Sequence, residues 1–150
     1  MKTTFKKSLY VVGPLLLLCM AASLYAQNNA SNHSPRTEIT EATILKQILN
    51  EAGIRNKEVQ MEVVNFSPCS ASPAHRHPCP TFGYVLEGEI ESVFEGIRHV
   101  YKRGDSFYEK PYGLHSVTRN RDRFKSAKLL VFFINGPAKS NSIAVSSKKP

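Results

Sequence analysis

An all-β fold, either a sandwich or a small closed barrel, is predicted by three features of this 150-residue chain. From Glu58 onward apolar residues recur at every second position, as in half-buried strands. The extended runs are short and punctuated by glycine and proline. No internal repeat or nucleotide-binding glycine loop interrupts them.

The chain opens with Lys2, Lys6 and Lys7, then an uncharged apolar stretch from Leu9 to Leu24, then small or polar residues around Ala26-Gln27. That order is the order of a secretory signal peptide. A membrane anchor is the competing reading, but the stretch holds Gly13-Pro14 and Ser23 and is shorter than the roughly 20 apolar residues a spanning helix needs. Cys19 raises a lipoprotein signal, against which the bulky Leu18 before it counts. Cleavage after Ala26 leaves 150 − 26 = 124 residues and removes three lysines, lowering the formal charge from +8 to +5. The mature protein is expected to be exported, periplasmic or secreted, and free of the membrane after cleavage. Its remaining basic residues, Arg119, Arg121, Arg123, Lys125 and Lys128 among them, are interspersed with acids and accompanied by no Trp. Such a surface reads as a solvated face, and nucleic acid is not expected as a partner.

Residues 27–37, rich in Asn, Ser and Ala, read as a flexible leader. The folded domain is expected over 38–136, and 137–150 as a mobile tail of Ser, Lys and Ala with two isolated aliphatics. Within Thr40–Ala52, Ile44, Leu45, Ile48, Leu49 and Ala52 fit one helical face, with Thr40 as cap and Gly53 as stop, so a short helix is expected; an extended edge strand is the other reading. Val59, Met61 and Val63, then Phe82, Tyr84 and Leu86, follow period two. Gly88 breaks the second run, and Glu95-Gly96 sits as a two-residue hairpin turn between Ile90–Phe94 and Ile97–Tyr101. Further strands follow over Ser106–Glu109, His115–Arg119 and Leu129–Ile134. Cys69 and Cys79 bracket the segment between the first two runs; in an oxidising compartment they form a disulfide or remain separate thiols, and spacing alone does not choose.

The chemistry concentrates in three histidines. In an extended segment His75 and His77 point to the same side, and His115 from a later strand can join them around one metal ion. Imidazole suits Fe, Mn, Co, Ni, Cu or Zn, so a divalent transition metal is the expected cofactor. His99, beside Arg98 after a hairpin turn, and His33 in the leader read as solvent-exposed.

Pro68 to Asn120 resembles the cupin superfamily through two motifs. His75-X-His77 with Gly88 matches the first, and Gly104 to His115 matches the second at the expected spacing. The resemblance implies a double-stranded β-helix, or jelly-roll barrel, with a metal at its mouth and a homodimeric assembly. Two departures stand out. Thr81 occupies the position of the family's metal-binding glutamate, and Lys110 stands where a proline is common, with Pro111 following and the asparagine offset to Asn120. Glu109 is the candidate to replace the missing acid, completing the metal shell or acting as a general base beside it, with a surface glutamate as the other reading. Tyr84 is placed as a hydroxyl near a metal-bound ligand, and Cys79 as a remote fourth ligand. The implied functions are a metal-dependent oxygenase or isomerase acting on a small oxygen-chelating molecule, a non-catalytic cupin that binds a small ligand, or a structural cupin whose histidines are relics.

Overall fold

The computed structural model describes residues 38–146, so the predicted signal peptide at 1–26 and leader at 27–37 lie outside the described residues. Eleven strands and no helix make up the described chain: β1 Ile39–Glu51, β2 Ile54–Phe66, β3 Ala71–Ser72, β4 His75–Arg76, β5 Thr81–Glu87, β6 Glu89–Phe94, β7 Ile97–Lys102, β8 Ser106–Glu109, β9 Leu114–Arg119, β10 Ala127–Asn135 and β11 Ile143–Ala144. They form two antiparallel sheets in a jelly-roll arrangement. One runs β1-β2-β10-β5-β8, the other β11-β4-β9-β6-β7 with β3 also paired to β9.

The helix expected over Thr40–Ala52 is replaced by the edge strand β1, paired with β2 along its whole length from Ile39↔Phe66 to Glu51↔Ile54. Two bulges explain the misleading pattern. At the first, between Thr43 and Leu45, the extra residue is Ile44 of β1, which creates the doublet Ile44-Leu45; at the second, between Leu49 and Asn50, the extra residue is Asn56 of β2, and with Ile44, Leu45 and Ile48 all exposed on this edge strand no single apolar face marks period two.

Elsewhere the strand pattern holds. Glu95 and Gly96 have φ of 50° and 80°, the left-handed pair that a tight hairpin turn demands, and Phe94 faces Ile97 across it. The core gathers Val64, Phe66, Val85, Ile90, Leu129, Val131 and Phe133 from the inner faces of both sheets, with Phe107 packed against them. Gly83 makes room for that ring: a Cβ on Gly83 would lie 2.1 Å from Cζ of Phe107, its cross-strand partner. On the outside of the second sheet, Arg98, Arg119 and Arg121 converge on the buried carboxylate of Glu91.

The fold continues beyond the boundary expected at residue 136. Within 137–146, β11 adds to the edge of the second sheet, with Ile143 opposite Arg76 and Ala144 opposite His75, and Val145 N–H donates to Ala74 O at 3.1 Å. Cys69 and Cys79 are free thiols, one exposed and the other buried. Cys69 Sγ lies 3.8 Å from Asp122 O and Cys79 Sγ lies 3.8 Å from Asn141 Oδ1, in separate surroundings, so of the two readings the separate thiols are observed.

Candidate metal centre

Strand pairing builds the site. His75 and His115 are direct cross-strand partners on β4 and β9, and the ladder is prolonged by Tyr112 N–H donating to His77 O at 2.7 Å. Two positions along an extended chain return His77 to the face of His75. The three imidazoles each offer a ring nitrogen, all within 4.8 Å of one another, so the expected trio is brought together in a geometry that can hold a metal ion.

Which nitrogens are free follows from their other bonds. His75 Nδ1 is 2.9 Å from Pro73 O, and His77 Nδ1 is 2.7 Å from Asn141 O. A carbonyl only accepts, so each Nδ1 carries the hydrogen and each Nε2 keeps its lone pair. At His115 the other ring nitrogen is engaged. Nε2 lies 2.9 Å from Ser92 Oγ and 2.7 Å from Thr118 Oγ1, hydroxyls that can donate or accept, whereas Nδ1 is buried with no hydrogen-bond partner among the described residues. Burial holds His75 and His77 below the ordinary histidine value of 6.5, with Pro73 O and Asn141 O pulling partly the other way. The neutral, metal-ligating form is thereby favoured.

Glu109 completes the constellation. It faces Thr81 across the β5–β8 pair, so its side chain emerges beside the position where the family's glutamate was expected, one strand over. It is 3 % exposed, which excludes the surface reading. Its Oε2 lies 3.4 Å from His115 Nδ1 and 3.9 Å from His77 Nε2, and among the described residues it has no hydrogen-bond partner. Thr81 is turned aside, its hydroxyl donating to Cys79 O at 3.2 Å. Two buried atoms lacking partners, one a carboxylate oxygen and one an imidazole nitrogen, face the same point as two more imidazoles. This donor set fits a divalent transition metal.

Tyr84 is not part of the site. Along β5 Thr81, Gly83 and Val85 are buried, while Phe82 and Tyr84 are exposed on the opposite face, where Tyr84 borders a shallow groove with Phe82, Tyr108 and Phe132. Strand alternation, applied from Thr81, places Tyr84 outside. Cys79 points toward Asn141, not to the histidine nitrogens, and burial pushes its thiol up. His99 is exposed on β7, and His33 lies outside the described residues.

The imidazoles open onto a cavity of about 510 Å³. Its wall is apolar along Val64, Phe66, Leu129, Val131 and Phe133, and its rim carries Glu41, Gln60 and Glu62 from β1 and β2. A further wall is a strap, contributed by Lys139 to Ser142 and Ala144, drawn from the segment expected to be mobile. The strap supplies the carbonyl that orients His77, and the Asn141 side chain is held in turn by Asn135 Nδ2 at 3.0 Å. Sequence reasoning missed this outer layer of Asn141, Pro73, Ser92 and Thr118. Only the aliphatics of 143–145 hinted at a further strand.

A cupin-domain family model matches residues 62–133. No curated protein matches the chain. Among solved structures the chain is similar to an RmlC-like cupin from Shewanella frigidimarina (19% identity, TM-score 0.53, covering 68% of this chain and 80% of that one). It is similar also to the DMSP lyase DddQ from Ruegeria pomeroyi (21% identity, TM-score 0.57, 75% of this chain and 54% of that one). An oxalate oxidase in complex with the substrate analogue glycolate is a third such structure (21% identity, TM-score 0.57, 79% and 60%). The chain thus spans about half to three-fifths of the two enzymes' chains, and at these identities the likeness is one of fold. The matched segment, which runs from β2 to β10 and carries all three histidines, is a cupin domain.

Proposed function

We propose that this protein is an exported, metal-dependent cupin that acts as an oxygenase or isomerase on a small oxygen-chelating molecule, with His75, His77, His115 and Glu109 around a divalent transition metal. The observation that carries this reading is the pair of buried, partnerless atoms, Glu109 Oε2 and His115 Nδ1, at the end of a cavity large enough for a small ligand. Export rests on the charged, apolar and small-residue order of residues 1–26.

When bound, the metal would supply Lewis-acid polarisation of a chelated oxygen. The chain's own groups do the rest. Pro73 O and Asn141 O fix the rings of His75 and His77, Ser92 and Thr118 fix His115, and the apolar wall limits water around the bound ligand. Glu109 adds negative charge to the shell or takes a proton from the ligand.

Tyr84 lies outside the cavity, which leaves Glu109 as the buried acid for both tasks, and a non-catalytic ligand-binding cupin needs only the first of them. Elemental analysis of protein purified without a histidine tag, followed by loading with Fe, Mn, Ni, Cu and Zn and assay against flavonols, diketones and sugar acids, separates these readings. Stoichiometric metal and turnover of one compound are expected. Metal without turnover across the panel favours the binding module, and absence of metal leaves only a structural cupin.

A further inference from the structure

The charges along the cavity rim are unevenly placed. Glu41 lies opposite Val64 and Glu62 opposite Thr43, so the two acids are diagonal neighbours on the inner face of the β1–β2 pair, about 7 Å apart at Cβ in regular geometry. Both line the cavity, and neither has a lysine or arginine within ion-pair distance among the described residues. Among the described residues Glu62 accepts only from Gln60 Nε2. The single lysine of the lining, Lys139, belongs to the strap at the edge of the other sheet and is exposed.

Three further polar atoms of the lining are buried with no hydrogen-bond partner among the described residues. Glu109 Oε2 and His115 Nδ1 are buried without partners at one end, and the Ser72 hydroxyl, also on the lining, is buried without one as well. The same lining carries the apolar side chains of Val64, Phe66, Leu129, Val131 and Phe133.

From this placement we infer that the pocket selects a small molecule with an oxygen-chelating head for the metal, a short apolar body, and a cationic end, such as an ammonium or quaternary ammonium group, held by Glu41 and Glu62. The inference rests on the proposed metal site and adds the ligand class. A dianion would place its second charge against the same carboxylates, so the rim works against ligands of that class.

The test uses the mature chain with its metal and a matched set of four-carbon hydroxamates ending in trimethylammonium, in the neutral tert-butyl isostere, or in carboxylate. Binding is followed by titration calorimetry at low ionic strength. The cationic probe is expected to bind about tenfold tighter than its neutral isostere, the size expected of two carboxylates acting across a partly solvated gap. In the Glu41→Gln, Glu62→Gln double variant that ratio should fall to about one, with metal content and affinity for the neutral probe unchanged. Equal binding of the cationic and neutral probes, tighter binding of the carboxylate probe, or a preference that survives in the double variant overturns the inference while leaving the metal site standing. Protein that holds no metal overturns both.

Discussion

Glu109→Gln separates two opposite contributions of one buried carboxylate. In the metal-free protein Oε2 is buried and unpartnered, a condition that costs roughly 1–3 kcal/mol for a polar group and more for a charged one. The amide keeps the shape and removes the charge, so the metal-free protein is expected to melt about 4–12 °C higher, at about 4 °C per kcal/mol for a domain of this size. Metal binding moves the other way. Loss of an anionic ligand is expected to weaken affinity about 100-fold, the upper end of what removing even an indirect partner of metal ligands does. With metal at 100 times the wild-type Kd, the stabilisation falls from about 2.7 to about 0.4 kcal/mol, and the metal-induced rise in Tm from about 10 °C to about 2 °C. Scanning calorimetry with EDTA, then with a fixed excess of Mn2+ or Zn2+, reads both numbers. A lower metal-free Tm in the variant, or a metal-induced rise of wild-type size, would refute the reasoning.

The remaining predictions concern the shell around that carboxylate. His77→Ala is expected to abolish stoichiometric metal in plasma emission spectrometry, whereas Tyr84→Phe, on the outer face, should leave metal content unchanged; the converse result would return Tyr84 to the site. Removing residues 137–150 takes away the carbonyl that orients His77, and should weaken metal binding about 10- to 100-fold in competition with a chromophoric chelator, with undiminished affinity counting against the strap. In the metal-free state, burial keeps His75 and His77 below 6.5 in the folded chain, so below pH 6.5 the unfolded chain binds protons that the folded one does not. Stability should therefore fall as pH drops from 6.5 toward the folded values, and show no contribution from these two residues above that. Thermal melts between pH 5 and 8 check the sign, with a flat or opposite slope as the contrary outcome.

Much of this architecture was legible because strand alternation and turn chemistry are local. Glu95-Gly96 specified its hairpin, and the two-residue spacing of His75 and His77 placed both rings on one face. The bulged strand β1 was not legible, since an inserted residue erases the period by which a strand is recognised. Glu109 could be nominated from its place before the Lys110-Pro111 turn, but its proximity to the histidines depends on the pairing of β8 with β5. Thr81 and Glu109 are 28 positions apart, and no local pattern encodes that register. Asn141 was hidden for the same reason. Its contribution is a backbone carbonyl, which leaves no side-chain signature.

The strap has a consequence for how the protein matures. Residues 139–144 follow all ten preceding strands, so a polypeptide emerging from its N-terminus presents every histidine before the last wall exists. Until residue 141 arrives, His77 Nδ1 lacks the carbonyl that orients it and the chamber lacks one of its walls. Full affinity for the cofactor is therefore expected only once the end of the chain is delivered, and a segment fused close behind residue 146 should be chosen to leave the pairing of β11 with β4 intact.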